Sequence, residues 1–301
     1  MKTLFTVIST ARPPFLLLTP AILSLAYAIS YWQQGFLDFN LSLLVFIAAL
    51  MAHISVNALN EYHDFHSGLD LNTSRTPFSG GSGGLPSNPS AAPAVLLLGL
   101  LSLCITAIIG LYFISLYGPS LLPLGLIGLL LVITYTNKIT RHPWLCLITP
   151  GLAFGPIFIV GSNLVLTGHY SIEALIASLP IFFLVNNLLL LNQFPDEQVD
   201  KEFGRRHIVI KKGKQRSSLL FLYFNLFAYL SLILAVLLKI LPNGVLVGLA
   251  PIIIVFISTR TVVKNHQDIS KLLPAMGKNV AINMITPILM AIGFIGSSHL
   301  F

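Results

Sequence analysis

Nine apolar runs, each close to the length of a bilayer-crossing helix, dominate this chain of 301 residues. A spanning helix takes roughly 20 consecutive, mostly apolar residues. The runs fall at about 14–32, 40–60, 92–114, 119–137, 145–167, 171–194, 218–240, 244–260 and 279–299. Hydrocarbon offers no water to satisfy backbone groups, so segments of this kind have to be helical. The expectation is an all-α polytopic membrane protein: one domain over 1–301, with about nine transmembrane helices around a central cavity. Composition agrees, with 55% hydrophobic and only 9% charged residues, where a soluble domain carries roughly 25% charged. A water-soluble enzyme is excluded. Ala26-Tyr27-Ala28 mimics a signal cleavage site, but its apolar run continues beyond that point and reads as a span. Cys104 and Cys146 lie in or beside apolar runs without metal-ligand spacing, and read as small core residues.

The formal net charge is +7. In a membrane chain this reads as basic cytoplasmic loops rather than as nucleic-acid binding. With the N-terminus inside, nine crossings put 16 of the 17 Lys and Arg on the cytoplasmic side and leave only Lys239 outside. A count wrong by one would scatter these charges. His299-Leu300-Phe301 then ends outside. The compact chain without a transit segment suits a bacterial inner membrane, with an archaeal membrane as the alternative.

Most of the acidic residues also fall inside, and the positive-inside rule does not explain that. Two stretches account for it. After the second run the chain reads Leu59-Asn60-Glu61-Tyr62-His63-Asp64, and after the sixth Leu191-Asn192-Gln193-Phe194-Pro195-Asp196. Both are Leu-Asn-(Glu/Gln)-aromatic-X-Asp. Each is followed by a further Asp and a Gly: Asp70 with Gly68, Asp200 with Gly204. Four crossings separate the copies, so both lie on one side, as in a parallel duplication of helices 1–4 and 5–8. Asn57, Asn60 and Asp64 share a helical face. Asn192, Asp196 and Asp200 do so if the helix survives Pro195. His53 extends the first stripe inward. Polar residues at membrane depth usually face an interior cavity.

Facing carboxylates repel unless a cation lies between them. Hard oxygen donors suit Mg²⁺, which prefers one or two carboxylates plus phosphate oxygens. Basic residues stand nearby in sequence: Arg75 after the first stretch, Arg205, Arg206, Lys211, Lys212 and Lys214 after the second, and Lys138 and Arg141 closing the fourth run. Arg in particular suits phosphate. Carboxylates with these cations describe a Mg²⁺–diphosphate site, carried by cytoplasmic active-site loops at about 60–91 and 195–217. Gly80-Gly81-Ser82-Gly83-Gly84 is backbone able to approach phosphate closely, or simply a flexible loop. Plainer readings stand beside these. Acidic helix ends can be merely solvated, and the basic run can set topology or meet anionic lipid. His63, His66, His142 and His207 read as interfacial polar groups, Asn186 and Asn187 as interhelical hydrogen-bonding groups.

Asn57-x-x-Asn60-Glu61-Tyr62-x-Asp64-x-x-x-Gly68-x-Asp70 resembles the first aspartate-rich motif of the UbiA superfamily of intramembrane prenyltransferases. Asp196-x-x-x-Asp200-x-x-x-Gly204-Arg205-Arg206 resembles the second. Arg12-Pro13 and Tyr135-Thr136 are similar to flanking features, and nine helices match the family's fold. Glu61 departs from the family, which has Asp after Asn60. The resemblance implies Mg²⁺ held by Asp64, Asp70, Asp196 and Asp200, with Asn60 and Glu61 in the metal set. Asn57, Asn60, Arg75, Lys138, Arg141, Arg205 and Arg206 would bind the diphosphate of an allylic polyprenyl donor. Ionisation would give an allylic cation, with Tyr135 a candidate to stabilise it, for attack by an aromatic acceptor. Within the family the spacing is most similar to the menaquinone-pathway branch acting on 1,4-dihydroxy-2-naphthoate. Ser74-Arg75-Thr76-Pro77 is instead similar to the 4-hydroxybenzoate branch.

A transporter would explain the polar stripe and the repeat, but not the acids and bases gathered on one side. CDP-alcohol phosphotransferases pack their aspartates into one contiguous motif, which this chain lacks. A purely structural membrane protein has no use for matched acidic sites. The sequence does not set the oligomeric state.

Overall fold

The structure, a computed structural model, describes residues 2–298 and is all-helical over them. The expected outside placement of His299-Leu300-Phe301 lies beyond the described residues. Lys2–Thr10 (α1) and Leu18–Gln34 (α2) come first, followed by Phe39–Ser67 (α3), Ala92–Tyr117 (α4) and Leu122–Thr134 (α5). Pro143–Leu152 (α6) and Phe158–Thr167 (α7) are joined by a π-helical turn at Ala153–Ile157. Ile172–Glu202 (α8), Ile208–Leu237 (α9), Ile252–Asn265 (α10) and Ile269–Ser297 (α11) complete the chain.

Helices occupy all nine apolar runs. Among the described residues, seven helical segments are long and apolar enough to cross a membrane, and the pair Lys2–Leu16 and Leu18–Gln34, bent by 43°, makes an eighth if it is counted as one span. Pro119–Thr134 is apolar but shorter than a full span. The helix ends follow local chemistry. Asp38 caps α3 by accepting from the Leu41 amide at 2.8 Å, and Ser171 caps α8 by accepting from Ala174 at 3.0 Å. Such side chains satisfy amides that the first turn leaves without partners.

Two boundaries differ from expectation. α3 continues to Ser67 and α8 to Glu202, so residues 60–67 and 195–202 are helix rather than loop. Pro195 lies inside α8 without ending it. Asn192, Asp196 and Asp200 therefore do share one face. The loop between α8 and α9 is only 203–207, and α9 is itself broken at Gly213, whose φ of 78° no right-handed helix contains.

The core lies where α2, α7, α8, α9 and α11 meet, around Ile22, Ile29, Ile159, Ile181, Leu232 and Phe294. Close crossings use glycine. A Cβ at Gly151 would strike the Phe182 carbonyl and the Asn186 side chain. Asn186 uses that proximity, accepting from the Gly151 amide at 2.7 Å. Asn187 donates to the Phe221 carbonyl at 2.9 Å. Both asparagines thus join helices. Pro150 and Pro156 lack amides and crowd the preceding turn, which accounts for the π turn between α6 and α7. That turn faces the cavity described next.

Candidate active site

A cavity of about 660 Å³ runs into the helix bundle. Its walls are apolar: Val45, Ala49, Leu129, Phe154, Phe158 and Val165 are typical. One end is polar, lined by Arg12, His53, Asn57, Asn60, Tyr135 and Asn192. Leu111 and Leu126 line the cavity yet are also 65% and 53% exposed, so its flank along α4 and α5 reaches the outer surface. No residue of α5 is buried.

The two acidic motifs meet beside the polar end. Arg205 Nη2 lies 2.5 Å from both oxygens of Asp64, and Nη1 lies 3.0 Å from Oδ1 of Asp200. Asp200 is also 3.1 Å from His207 Nε2. One arginine therefore joins the end of α3 to the end of α8. Burial works against its charge, but Asp64 and Asp200 outweigh that and raise its pKa further.

The glycine-rich segment closes over the remaining acids. Gly80, Gly81 and Gly83 have φ between 73° and 82°, a left-handed conformation that favours glycine. A Cβ at Gly81 would come within 3.0 Å of the Asp70 carboxylate. Asp196 faces the Ser79 hydroxyl and the Gly80 amide. Burial, reinforced by the charges of Asp64 and Glu61, pushes the Asp70 carboxyl up to about 7. Asp70 Oδ2 and Asp196 Oδ1 are buried without a hydrogen-bond partner among the described residues.

Glu61 is fully buried and engages protein groups with both oxygens. Oε1 accepts from Arg12 Nε and from the Ser82 amide, each at 2.7 Å, and Oε2 accepts from the Ser82 hydroxyl at 2.7 Å. The methylene that Glu has over Asp carries the carboxylate to these groups. Glu61 thus ties the N-terminal segment and the glycine-rich loop to α3, a role that its place in the motif did not suggest. Arg12 has a left-handed backbone, φ 54°, rare for a side-chain-bearing residue and costing about 1 kcal/mol.

Other expected residues are more dispersed. Asn60 Nδ2 donates to Thr136 at 3.2 Å and its oxygen accepts from Arg12 at 3.4 Å, while Asn57 donates to the Ala11 carbonyl at 2.9 Å. Arg75 is exposed, with its guanidinium against Gly83. Lys138, Arg141 and Arg206 are exposed, although the Arg206 amide donates to the Thr140 carbonyl at 3.0 Å and holds those turns together. Tyr135 lines the cavity beside Cys146. Arg12, Ser82 and His207 were not singled out as site residues from sequence. Arg12 had been noted for the Arg12-Pro13 pair and Ser82 as part of the glycine-rich stretch, while His207 gave no local signal.

Among the described residues, no three His, Cys, Asp or Glu side chains form a ready-made metal cluster. The donor set nevertheless fits a hard divalent cation. Asp64 and Asp70 lie at and just beyond the end of α3, Asp196 and Asp200 at the end of α8, and Asp70 and Asp196 carry buried oxygens without partners among the described residues.

These features define an all-helical membrane protein with paired acidic motifs beside the polar end of an apolar cavity. The chain belongs to the UbiA prenyltransferase family, whose pattern matches residues 17–278. It is 30% identical over 198 residues to 1,4-dihydroxy-2-naphthoate octaprenyltransferase of Bacillus subtilis (strain 168), covering 64% of this chain and 61% of that one. It is 27% identical over 225 residues to UbiA prenyltransferase domain-containing protein 1 of Danio rerio, covering 72% and 62%. The match thus spans about three fifths of each relative's length. A UbiA homologue from Aeropyrum pernix K1 shares the fold with a TM-score of 0.70 at 16% identity, over 93% of this chain and 97% of that one. A UbiA homologue from Archaeoglobus fulgidus, solved with DMAPP and Mg²⁺, gives 0.59 at 14% identity over 97% and 99%.

Proposed function

We propose that the protein transfers a polyprenyl group from an allylic polyprenyl diphosphate to an aromatic acceptor, with 1,4-dihydroxy-2-naphthoate, a menaquinone precursor, as the favoured acceptor. The observation that carries this is the meeting of Asp64 and Asp200 around Arg205, beside the polar end of a largely apolar cavity lined by Arg12, Asn60 and Tyr135. Asp64, Asp70, Asp196 and Asp200 would hold Mg²⁺, which would neutralise the departing diphosphate. Arg205 is placed to accept charge from the same group, with the more exposed Arg206, Lys138 and Arg141 around it. The apolar walls keep water from the allylic cation, and Tyr135 presents an aromatic side chain at the polar end. The isoprenoid tail would lie along the cavity toward α4 and α5. Asp70 has the burial and neighbours of a group that binds a cation in place of a proton. The relative from Bacillus subtilis supports the naphthoate acceptor, with 4-hydroxybenzoate as the alternative. We further read the two motifs as copies of a parallel duplication, and the site as cytoplasmic in a bacterial inner membrane.

The test is an assay of purified protein with Mg²⁺ and labelled polyprenyl diphosphate, offering each acceptor separately. Product from dihydroxynaphthoate alone is the expected result. Product from 4-hydroxybenzoate alone would move the acceptor assignment. Absence of both product and diphosphate release from folded protein would overturn the reading and favour a transporter.

A further inference from the structure

The bridge between Asp64 and Asp200 has a feature that a fixed structural ion pair does not need. The two carboxylates belong to different helix ends and come together only around the Arg205 guanidinium. Both oxygens of Asp64 face Nη2 at 2.5 Å. Those lone pairs are also the ones a divalent cation would use, so guanidinium and cation compete for them. Asp70 and Asp196, by contrast, keep buried oxygens without partners among the described residues. Two of the four carboxylates therefore each keep one unpartnered oxygen, and the other two are held by an internal cation.

The backbone around Arg205 suits a side chain that changes partners. Its amide is fixed to the Asp200 carbonyl at 2.9 Å, and the next amide to Thr140 at 3.0 Å. Gly204, at φ 81°, lets the chain turn directly after α8. The root is anchored while the long side chain, 19% exposed, can re-aim from carboxylate to phosphate oxygens. A planar carboxylate and a tetrahedral phosphate each present a pair of oxygens that a guanidinium can meet with two parallel bonds.

We propose that Arg205 is an exchangeable counter-ion. In the metal-free protein it holds Asp64 and Asp200 together, and on loading it releases them to the divalent cation and turns to the diphosphate. This rests on the Mg²⁺–diphosphate reading above. The exchange makes metal and diphosphate binding mutually reinforcing: metal frees the arginine that the diphosphate needs, and diphosphate draws the arginine off the carboxylates that the metal needs.

The test measures binding without turnover, with Mg²⁺ and inorganic pyrophosphate as probes, on the full chain in detergent. Arg205→Gln should bind Mg²⁺ alone about tenfold more tightly than the parent, because a competing cation is gone. Its unfolding midpoint without metal should fall and recover as Mg²⁺ is added. Pyrophosphate should bind it about tenfold more weakly in the presence of Mg²⁺, and the reinforcement between the two ligands should vanish. Arg205→Lys keeps the charge without the two-point bridge and should fall between. Arg216→Gln, at an exposed arginine of α9 that has no part in the site, should leave Mg²⁺ affinity unchanged. If Arg205→Gln binds Mg²⁺ no more tightly than a parent that binds both probes, the exchange is wrong and the site reading stands. If the parent binds neither probe, both fall together.

Discussion

Glu61 and Ser82, twenty-one residues apart, hold each other by two 2.7 Å hydrogen bonds, one to the Ser82 amide and one to its hydroxyl. The same carboxylate takes Arg12 from the N-terminal segment. The glycine-rich loop is therefore fastened at a defined point and does not hang free.

Glu61→Ala leaves a mostly buried arginine unpaired and should cost about 3–5 kcal/mol. Glu61→Asp falls one methylene short and cannot keep both Arg12 and Ser82. Amide hydrogen exchange over 76–84 should accelerate in both variants. Unchanged protection there would show that the loop is held by something else.

Asp64→Ala and Asp196→Ala should each lower turnover by about a thousandfold or more, through loss of leaving-group stabilisation. Size-exclusion profiles and α-helical circular dichroism should remain those of the parent. Turnover near the parent's in either variant would remove that residue from the metal set.

Gly151→Ala should destabilise the protein by about 1–3 kcal/mol, since its new methyl runs into α8 backbone. Gly161 lines the cavity, and a methyl added there would meet no atom within 4 Å, so Gly161→Ala should leave the unfolding midpoint near the parent's. Equal midpoints for the two variants would contradict the α6–α8 crossing.

Gly161→Leu should narrow the tail channel. Donors with long chains should lose affinity about tenfold, with short donors little affected, since each buried methylene contributes about 0.8 kcal/mol. Titrating a series of prenyl diphosphates of increasing length checks this. Uniform weakening across the series would place the tail elsewhere.

The helices and the polar faces were legible because both follow from short-range repetition. A 3.6-residue period placed Asn60 and Asp64 together without any knowledge of the fold. Contacts across the chain were not legible in that way. Arg205 and Asp64 are 141 residues apart, and nothing local to either indicates their pairing. Glu61 was misleading because a motif position reports the direction of a side chain, not whether a serine from a distant loop will reach it first. Pro195 left the course of α8 open. A lone proline argues for a helix end, yet the buried Leu190, Leu191 and Phe194 hold that turn of α8 in place. His207 read as an interfacial histidine, and only the short 203–207 turn brings it to Asp200.

Leu122, Leu126 and Leu129 of the exposed helix α5 line the cavity, so its flank reaches the apolar outer surface there. A hydrocarbon chain of tens of carbons would meet a barrier of tens of kcal/mol if it had to leave through water, at about 0.8 kcal/mol per methylene. Along α5 it exchanges one oily neighbour for another. For a polyprenylated product this means that departure is a matter of sideways diffusion within the membrane plane, and the next protein to use it has to wait there too.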